Sequence, residues 1–369
     1  FPVRALFVVD LVIALLAGLG ATAWLGHVRA ERSDERAIGA VALLLVTIVA
    51  ADLWLAHMGQ LPMDERTIWD RPSHLVQMAL EENPDARIYT LDAFDLWARA
   101  YVAAEGLRKG FGPYRALAGV PIGNSVVLSG AVAADGYVNM LHDRVAAFWL
   151  TPNRRLLGPG PKAVGVPTAR PGTLAPKFVN RLRKAAVTHV VSEKPLGSPF
   201  VLVASDGSVA AYRLESPFPR AYVASKWRSV ASLAEAAAQV DSDDPAPAVE
   251  GLAAPASSEP SSIIAVRYRR PDNDALVVDV AGHGGMLVVA ESYDEGWSVT
   301  VDGHRTPVLL ANGYQRGVWV PEGSREVVFR YCPKGLMVGA VLSLTSVCFA
   351  AAWGVLAWRA PRESQFPRA

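Results

Sequence analysis

Cysteine is nearly absent from this 369-residue chain, which holds only Cys332 and Cys348. Sixteen residues apart on what reads as a helix, they would stand roughly 24 Å from each other, too far to pair. A disulfide framework and a cysteine-based metal site are therefore excluded. Charge is sparse too, at 19% of residues with a formal net charge of +1, which gives nucleic acid or another polyanion little to hold. Catalytic signatures are also missing. There is no HExxH, no Gly-x-Ser-x-Gly, no Walker lysine loop and no CxxC, and no two histidines stand at i, i+4. Neither a nucleophile elbow nor a helical zinc site is expected.

Long apolar runs, by contrast, are present, and mean hydropathy is +0.21. Leu336 to Trp358 carries no charge, and at 1.5 Å per residue it is long enough to cross ~30 Å of hydrocarbon. Two further runs, from about Ala5 to Leu25 and from Ala37 to about His57, predict two more spans. Arg29, Arg32 and Arg36 lie between the first two, and Arg359, Arg362 and Arg368 follow the third. Arginine in short flanking segments marks the cytoplasmic side. The expected layout is two transmembrane helices in 1–57 with a cytoplasmic loop 27–36, an extracytoplasmic region 58–334, a transmembrane helix 335–358 and a cytoplasmic tail 359–369. Asp10 is an intramembrane polar candidate, with placement near the outer interface as its plain alternative. The chain opens Phe1-Pro-Val-Arg without an initiator methionine, which reads as a segment of a longer membrane protein.

The outer region divides by composition. From 58 to 240, helical and strand signals mix: a helix over Pro72–Leu80 stopped by Asn83-Pro84, a strand over Asp85–Thr90, and a helix over Asp135–Leu150. A basic helix over Lys177–Thr188 and a buried strand over His189–Ser192 follow. Phe200–Ala204 and Ser208–Leu214 then form a hairpin through Asp206-Gly207. Ala231–Val240 reads as helix, and residues 241–260, rich in Pro, Ser, Ala and acids, as a linker. Residues 261–332 alternate as short strands separated by turn signals, Asp302-Gly303 among them, which predicts a β-sandwich. The expected fold class is three transmembrane helices plus an extracytoplasmic α/β domain and a carboxy-terminal β-sandwich.

Candidate ligand contacts cluster in the last part. Tyr293, Trp297, Asn312 and Tyr314 combine aromatic faces, on which sugar C–H groups pack, with an amide that bonds hydroxyls. A small sandwich needs large core residues as well, so core packing stands beside glycan binding for Trp297. Glu291, Asp294 and Glu295 crowd one strand end, where paired carboxylates can divide acid and base roles but acids at a turn are also commonly solvated. Gly282-His-Gly-Gly285 reads as a hairpin turn, because no helix follows it to hold an anion. Arg87, Arg99, Arg108, Lys109, Arg115, Arg144, Arg154 and Arg155 make the first outer part basic, either a phosphate-binding groove or ordinary solvated charge.

Several segments resemble a known family. They are Ala290-Glu-Ser-Tyr-Asp-Glu-Gly-Trp-Ser-Val-Thr-Val-Asp-Gly303, Ala311-Asn-Gly313, Val320-Pro-Glu-Gly323 and Val328-Phe-Arg-Tyr-x-Pro333 ahead of a last helix. Together they closely resemble the carboxy-terminal end of the bacterial YfhO-type membrane protein family. Val187–Ser192, Pro219–Tyr222 and Ala51–Trp54 are similar to further parts of it. The resemblance implies a protein related to type-C glycosyltransferases. Such a protein uses a polyprenyl-phosphate-linked sugar donor and modifies an envelope glycan acceptor outside the bacterial cytoplasmic membrane, with the lipid bilayer as its other partner. It also implies a catalytic acid in an amino-terminal outer loop that this chain lacks, so no catalytic residue is assigned here. No cofactor is identified, and a divalent metal would belong to that missing part. The alternative reading is a non-catalytic, membrane-tethered carbohydrate-binding or scaffold module.

Overall fold

A computed structural model describes residues 18, 20, 43–44, 46–52, 73–103, 105, 117, 119–121, 130–134, 143–149, 168–170, 173–254, 261–333 and 335–359. The chain divides into two compact units, Phe1–Ile68 with Arg99–Arg115, and Trp69–Ala98 with Ala116–Ala369. In the first, residues 46–52 are helical, and Val46, Ile48 and Val49 are exposed.

The second unit begins with a helix-covered sheet. Helix α1 (His74–Glu82) places Leu75, Val76 and Ala79 in one buried stripe, the i, i+1, i+4 spacing of an amphipathic helix. It stops where Asn83 precedes Pro84, because the proline ring disfavours helical backbone in the residue before it. Strand β1 (Arg87–Thr90) follows, then α2 (Ala93–Ala103), β2 (Val132–Ala133), α3 (Asp143–Trp149), and the short pair β3 (Thr168–Arg170) and β4 (Thr173–Leu174). Helix α4 (Pro176–Lys184) has proline in its first turn, where no N–H is needed. Its last turn holds Arg181, Arg183 and Lys184, where cations suit the helix dipole.

Strands β5 (His189–Ser192), β6 (Phe200–Asp206) and β7 (Val209–Leu214) complete a five-stranded sheet ordered β2-β1-β5-β7-β6. Its β1 pairs are parallel and its β7 pairs antiparallel. All four residues of β5 are buried, because helices cover both faces of the sheet: Val191 packs with α1, and Val190 with α4.

The rest is β-rich. In order come β8 (Ala221–Ala224), β9 (Arg228–Val230), α5 (Leu233–Asp241), β10 (Ala248–Glu250), β11 (Ile263–Ala265), β12 (Arg267–Asp272), β13 (Ala275–Asp279) and β14 (Gly285–Ser292). Then follow β15 (Trp297–Val301), β16 (His304–Thr306), β17 (Leu309–Ala311), β18 (Gln315–Val320), β19 (Glu326–Tyr331) and α6 (Leu336–Arg359). A seven-stranded sheet ordered β11-β8-β14-β18-β17-β10-β9 faces a five-stranded one ordered β12-β13-β19-β15-β16. Between them Leu287, Val289, Val318 and Val320 of the first meet Leu276, Val278, Val299 and Phe329 of the second. This is a sandwich core, fed by the alternate residues of each strand.

The adjoining strands β11 and β12 belong to different sheets, with the chain changing sheet at Val266. Gly282–Gly285 is likewise no hairpin turn, because β13 and β14 lie in opposite sheets. The glycines there meet backbone: a Cβ at Gly284 would sit 2.7 Å from the Glu322 nitrogen, and one at Gly285 (φ 137°) 2.4 Å from the Ala224 oxygen. Only glycine allows that approach.

The expected fold class of three transmembrane helices needs correction. Among the described residues no helix is long and apolar enough to cross a membrane. Most of 5–25 and 37–57 lies outside the described residues, and α6 is described in its side chains only at 336, 338–346, 348–349 and 352. An uncharged run permits a crossing without imposing one, and that permission was all the sequence carried. The α/β and β-sandwich part of the expectation fits the observed sheets.

Candidate functional site

Three arginines converge on one carboxylate at an end of the sandwich core, with a fourth, Arg87, beside them. Strand β14 sends Leu287 and Val289 into the core and then loses register with β18 between Val289 and Ser292. A bulge of this kind re-aims a side chain, and here it delivers Glu291, with 9% of its surface exposed. Strand β12 has its own irregularity between Arg269 and Asp272, which delivers Arg270. Glu291 Oε2 pairs with Nη2 of both Arg270 and Arg316, and Oε1 accepts from Arg220 Nη2 at 3.0 Å. Arg87, on β1 of the first sheet, donates from Nη1 to the carbonyls of Ala185 (2.7 Å) and Ala290.

The cluster is also aromatic. Arg316 Cζ lies 3.8 Å from the Trp297 ring centroid and 5.5 Å from that of Phe329, and Arg220 Cζ 5.9 Å from that of Tyr268. Such stacking helps a guanidinium that has lost its water. Burial alone would raise the Glu291 pKa. Arg316, Arg220 and Arg270 overcome it and bring the group from 4.5 down to about 2. Burial lowers Arg316 to about 10 against the pull of Glu291, and burial lowers Arg87 as well. Arg87 Nε, Arg220 Nε and Arg316 Nε and Nη1 are buried with no hydrogen-bond partner among the described residues.

A second polar place is a cleft of about 770 Å³ lined by Glu82, Asn83, Thr188, His189, Arg213 and the run Leu214 to Pro217. His189 is 1% exposed, with Nε2 3.2 Å from Glu82 Oε2 and Nδ1 3.0 Å from Thr188 Oγ1. Burial lowers its pKa against the pull of Glu82, so the ring is neutral near pH 7. Thr188 Oγ1 also accepts from the Arg87 N–H at 2.9 Å and lies 3.2 Å from the Arg87 carbonyl. That hydroxyl is thereby held in the β1–β5 seam, in a structural role. Among the described residues no group of His, Cys, Asp and Glu side chains could hold a metal ion.

The four residues expected to contact glycan fall in two environments. Tyr293 and Trp297 are half-buried. Trp297 packs against the sandwich core and has Tyr331 at 5.0 Å between ring centroids. Asn312 and Tyr314 are 1% and 2% exposed. Asn312 accepts from the Ala248 N–H at 3.1 Å and donates to Gln315 Oε1 at 2.8 Å, while Tyr314 lies 4.3 Å from Phe148 in the α/β core. Asp10 lies outside the described residues, as do Arg108, Lys109, Arg115, Arg154 and Arg155. Asp294 caps its own turn through the Gly296 N–H at 2.7 Å, and both Asp294 and Glu295 are exposed. Sequence reasoning placed Glu291 beside those acids and missed its partners. Those partners lie far away in the chain, and the break in β14 register that aims Glu291 leaves no mark in the sequence.

Residues 265–343 match the model of a family described as bacterial membrane protein YfhO. This segment is similar to that family. It contributes Arg270, Glu291, Trp297 and Arg316 to the cluster, while Arg87 and Arg220 come from outside it. No curated protein matches the chain. Solved chains that match are cryo-EM structures of arabinofuranosyltransferase AftD from Mycobacteria. One is 22% identical over 21% of this chain and 6% of that chain, with a TM-score of 0.18. A mutant form in its first class gives 23% identity over 27% and 8%, TM-score 0.21, and in its second class 17% over 44% and 17%, TM-score 0.20. The chain thus spans less than a fifth of those proteins' length, and TM-scores this low carry no argument about a shared fold.

Proposed function

We propose that this chain is the carboxy-terminal portion of a membrane glycosyltransferase of type C. The whole protein would transfer a sugar from a polyprenyl-phosphate carrier to an envelope glycan or lipid on the outer side of the bacterial cytoplasmic membrane. The observation that carries the reading is the YfhO-type segment, whose family is described as a membrane protein. Residues 58–334 would form the outer body, with the α/β sheet followed by the sandwich, whose seven-stranded sheet also takes in β8, β9 and β10. The apolar side chains exposed on α6, among them Leu336, Val338, Leu342, Leu344 and Phe349, suit contact with lipid. In this reading the catalytic acid belongs to the amino-terminal part of the protein, and the body described here shapes the acceptor or donor cleft.

The test is sugar transfer in membrane fractions containing the full-length protein and a radiolabelled polyprenyl-phosphate sugar. Transfer above that of membranes lacking the protein supports the reading, and equal transfer with a panel of hexose and pentose donors rejects it. A second reading, a non-catalytic glycan-binding module, draws on the partial exposure of Tyr293 and Trp297. It requires glycan binding that Tyr293→Ala abolishes while thermal stability is retained.

A further inference from the structure

The arginine cluster is short of negative charge. Arg220, Arg270 and Arg316 share the single carboxylate of Glu291, which leaves two positive charges uncompensated before Arg87 is counted. Arg87 reaches the same place through the Ala290 carbonyl. Buried charge without a counter-ion is costly, and guanidinium N–H groups without acceptors add to that cost. Four such nitrogens, Nε of Arg87, Arg220 and Arg316 and Nη1 of Arg316, have neither solvent nor partner among the described residues. Arg316 and Arg87 are 1% and 7% exposed, so bulk water does not make up the deficit at either.

We infer that the cluster is a binding site for the phosphate group of a phosphate monoester, entered from the side of Arg270. A surplus of two charges matches a monoester, which carries about −1.5 to −2 near pH 7, better than it matches a carboxylate. Guanidinium forks suit tetrahedral oxyanions, since each presents paired donors to neighbouring oxygens. Arg270 is the way in. It lies on β12, an edge strand of its sheet, and its side chain is 36% exposed, against 14% for Arg220 and 1% for Arg316. Its swing away from Glu291 would admit the phosphate and bring a fork to it, while Glu291 keeps Arg316 paired. The Trp297 ring over Arg316 holds that guanidinium in place. The inference does not depend on the sugar-transfer reading and survives its failure.

The experiment uses the full chain in detergent, titrated by calorimetry with inorganic phosphate at fixed ionic strength. Hexose 1-phosphate and short-chain phosphatidic acid form parallel arms, with acetate as the control. The expected result is saturable binding of one phosphate group per chain, weakened at least tenfold by Arg270→Gln and by Arg220→Gln, each with unchanged circular dichroism. Tighter binding of hexose 1-phosphate assigns the site to a sugar phosphate, and tighter binding of phosphatidic acid assigns it to a lipid headgroup. Either supports the inference. Absence of saturation in all three phosphate arms, equal binding by both variants and the parent, or equal competition by acetate overturns it.

Discussion

Glu291 should carry a large, pH-dependent share of the stability of the sandwich. Its pKa falls from 4.5 to about 2 on folding because Arg316, Arg220 and Arg270 together outweigh burial. A depressed carboxylate pKa means that the unfolded chain binds the proton more readily. The stabilisation is therefore complete above pH 4.5 and lost as pH falls toward 2. A fall of this size corresponds to about 3 kcal/mol at pH 7, and roughly 2 kcal/mol of that is gone by pH 3. Glu291→Gln imitates the protonated acid in shape and leaves three arginines without their anion, so it should cost about 3 kcal/mol at neutral pH. The assay is urea denaturation of parent and variant at pH 7 and pH 3, followed by tryptophan fluorescence, since Trp297 stacks on Arg316. The gap between the two proteins should narrow from about 3 to about 1 kcal/mol. A gap under about 1 kcal/mol at pH 7, or one that does not change with pH, refutes the reasoning.

Other substitutions probe different parts. Gly285→Ala should lower stability by more than about 2 kcal/mol in thermal melts, because its Cβ would meet the Ala224 carbonyl and its backbone favours glycine. Trp297→Ala, which uncovers one face of Arg316 and opens the rim of the sandwich, should cost ~3 kcal/mol by urea denaturation. Burial lowers Lys184 from 10.5 to about 8 despite Asp244, Asp241 and Asp243. Between those values the unfolded chain holds a proton that the folded chain does not. Stability should therefore rise with pH across that window by up to about 3 kcal/mol, relative to a Lys184→Met variant.

Local chemistry made much of the sheet structure legible. Asp302-Gly303 and Asp206-Gly207 turn where their dipeptides say they must, and the positive φ of Asp302 (47°) and Gly303 (83°) is what that pairing is suited to. The uninterrupted apolar character around His189–Ser192 announced a strand covered on both faces. What stayed hidden depends on pairings distant in the chain. Arg87 reaches Ala290 across 203 residues and Arg220 reaches Glu291 across 71, and two bulges aim the remaining members. No window of sequence carries that information. The same holds for the chain's changes of sheet at Val266 and at Gly282–Gly285, where short strands look alike whichever sheet they join. Asn312, expected to bond glycan hydroxyls, instead turns the chain ahead of Gly313 with a φ of 47°. Its burial among Ala248, Tyr222 and Gln315 follows from strand order alone.

The sidedness of residues 58–334 is the claim on which the proposed sugar transfer rests. Ser257→Cys, introduced into the full-length protein with Cys332 and Cys348 replaced by serine, tests it directly with a membrane-impermeant maleimide. The account predicts labelling in intact cells to the same extent as in broken ones. Labelling only after the cells are opened would place this body inside the cell and contradict it.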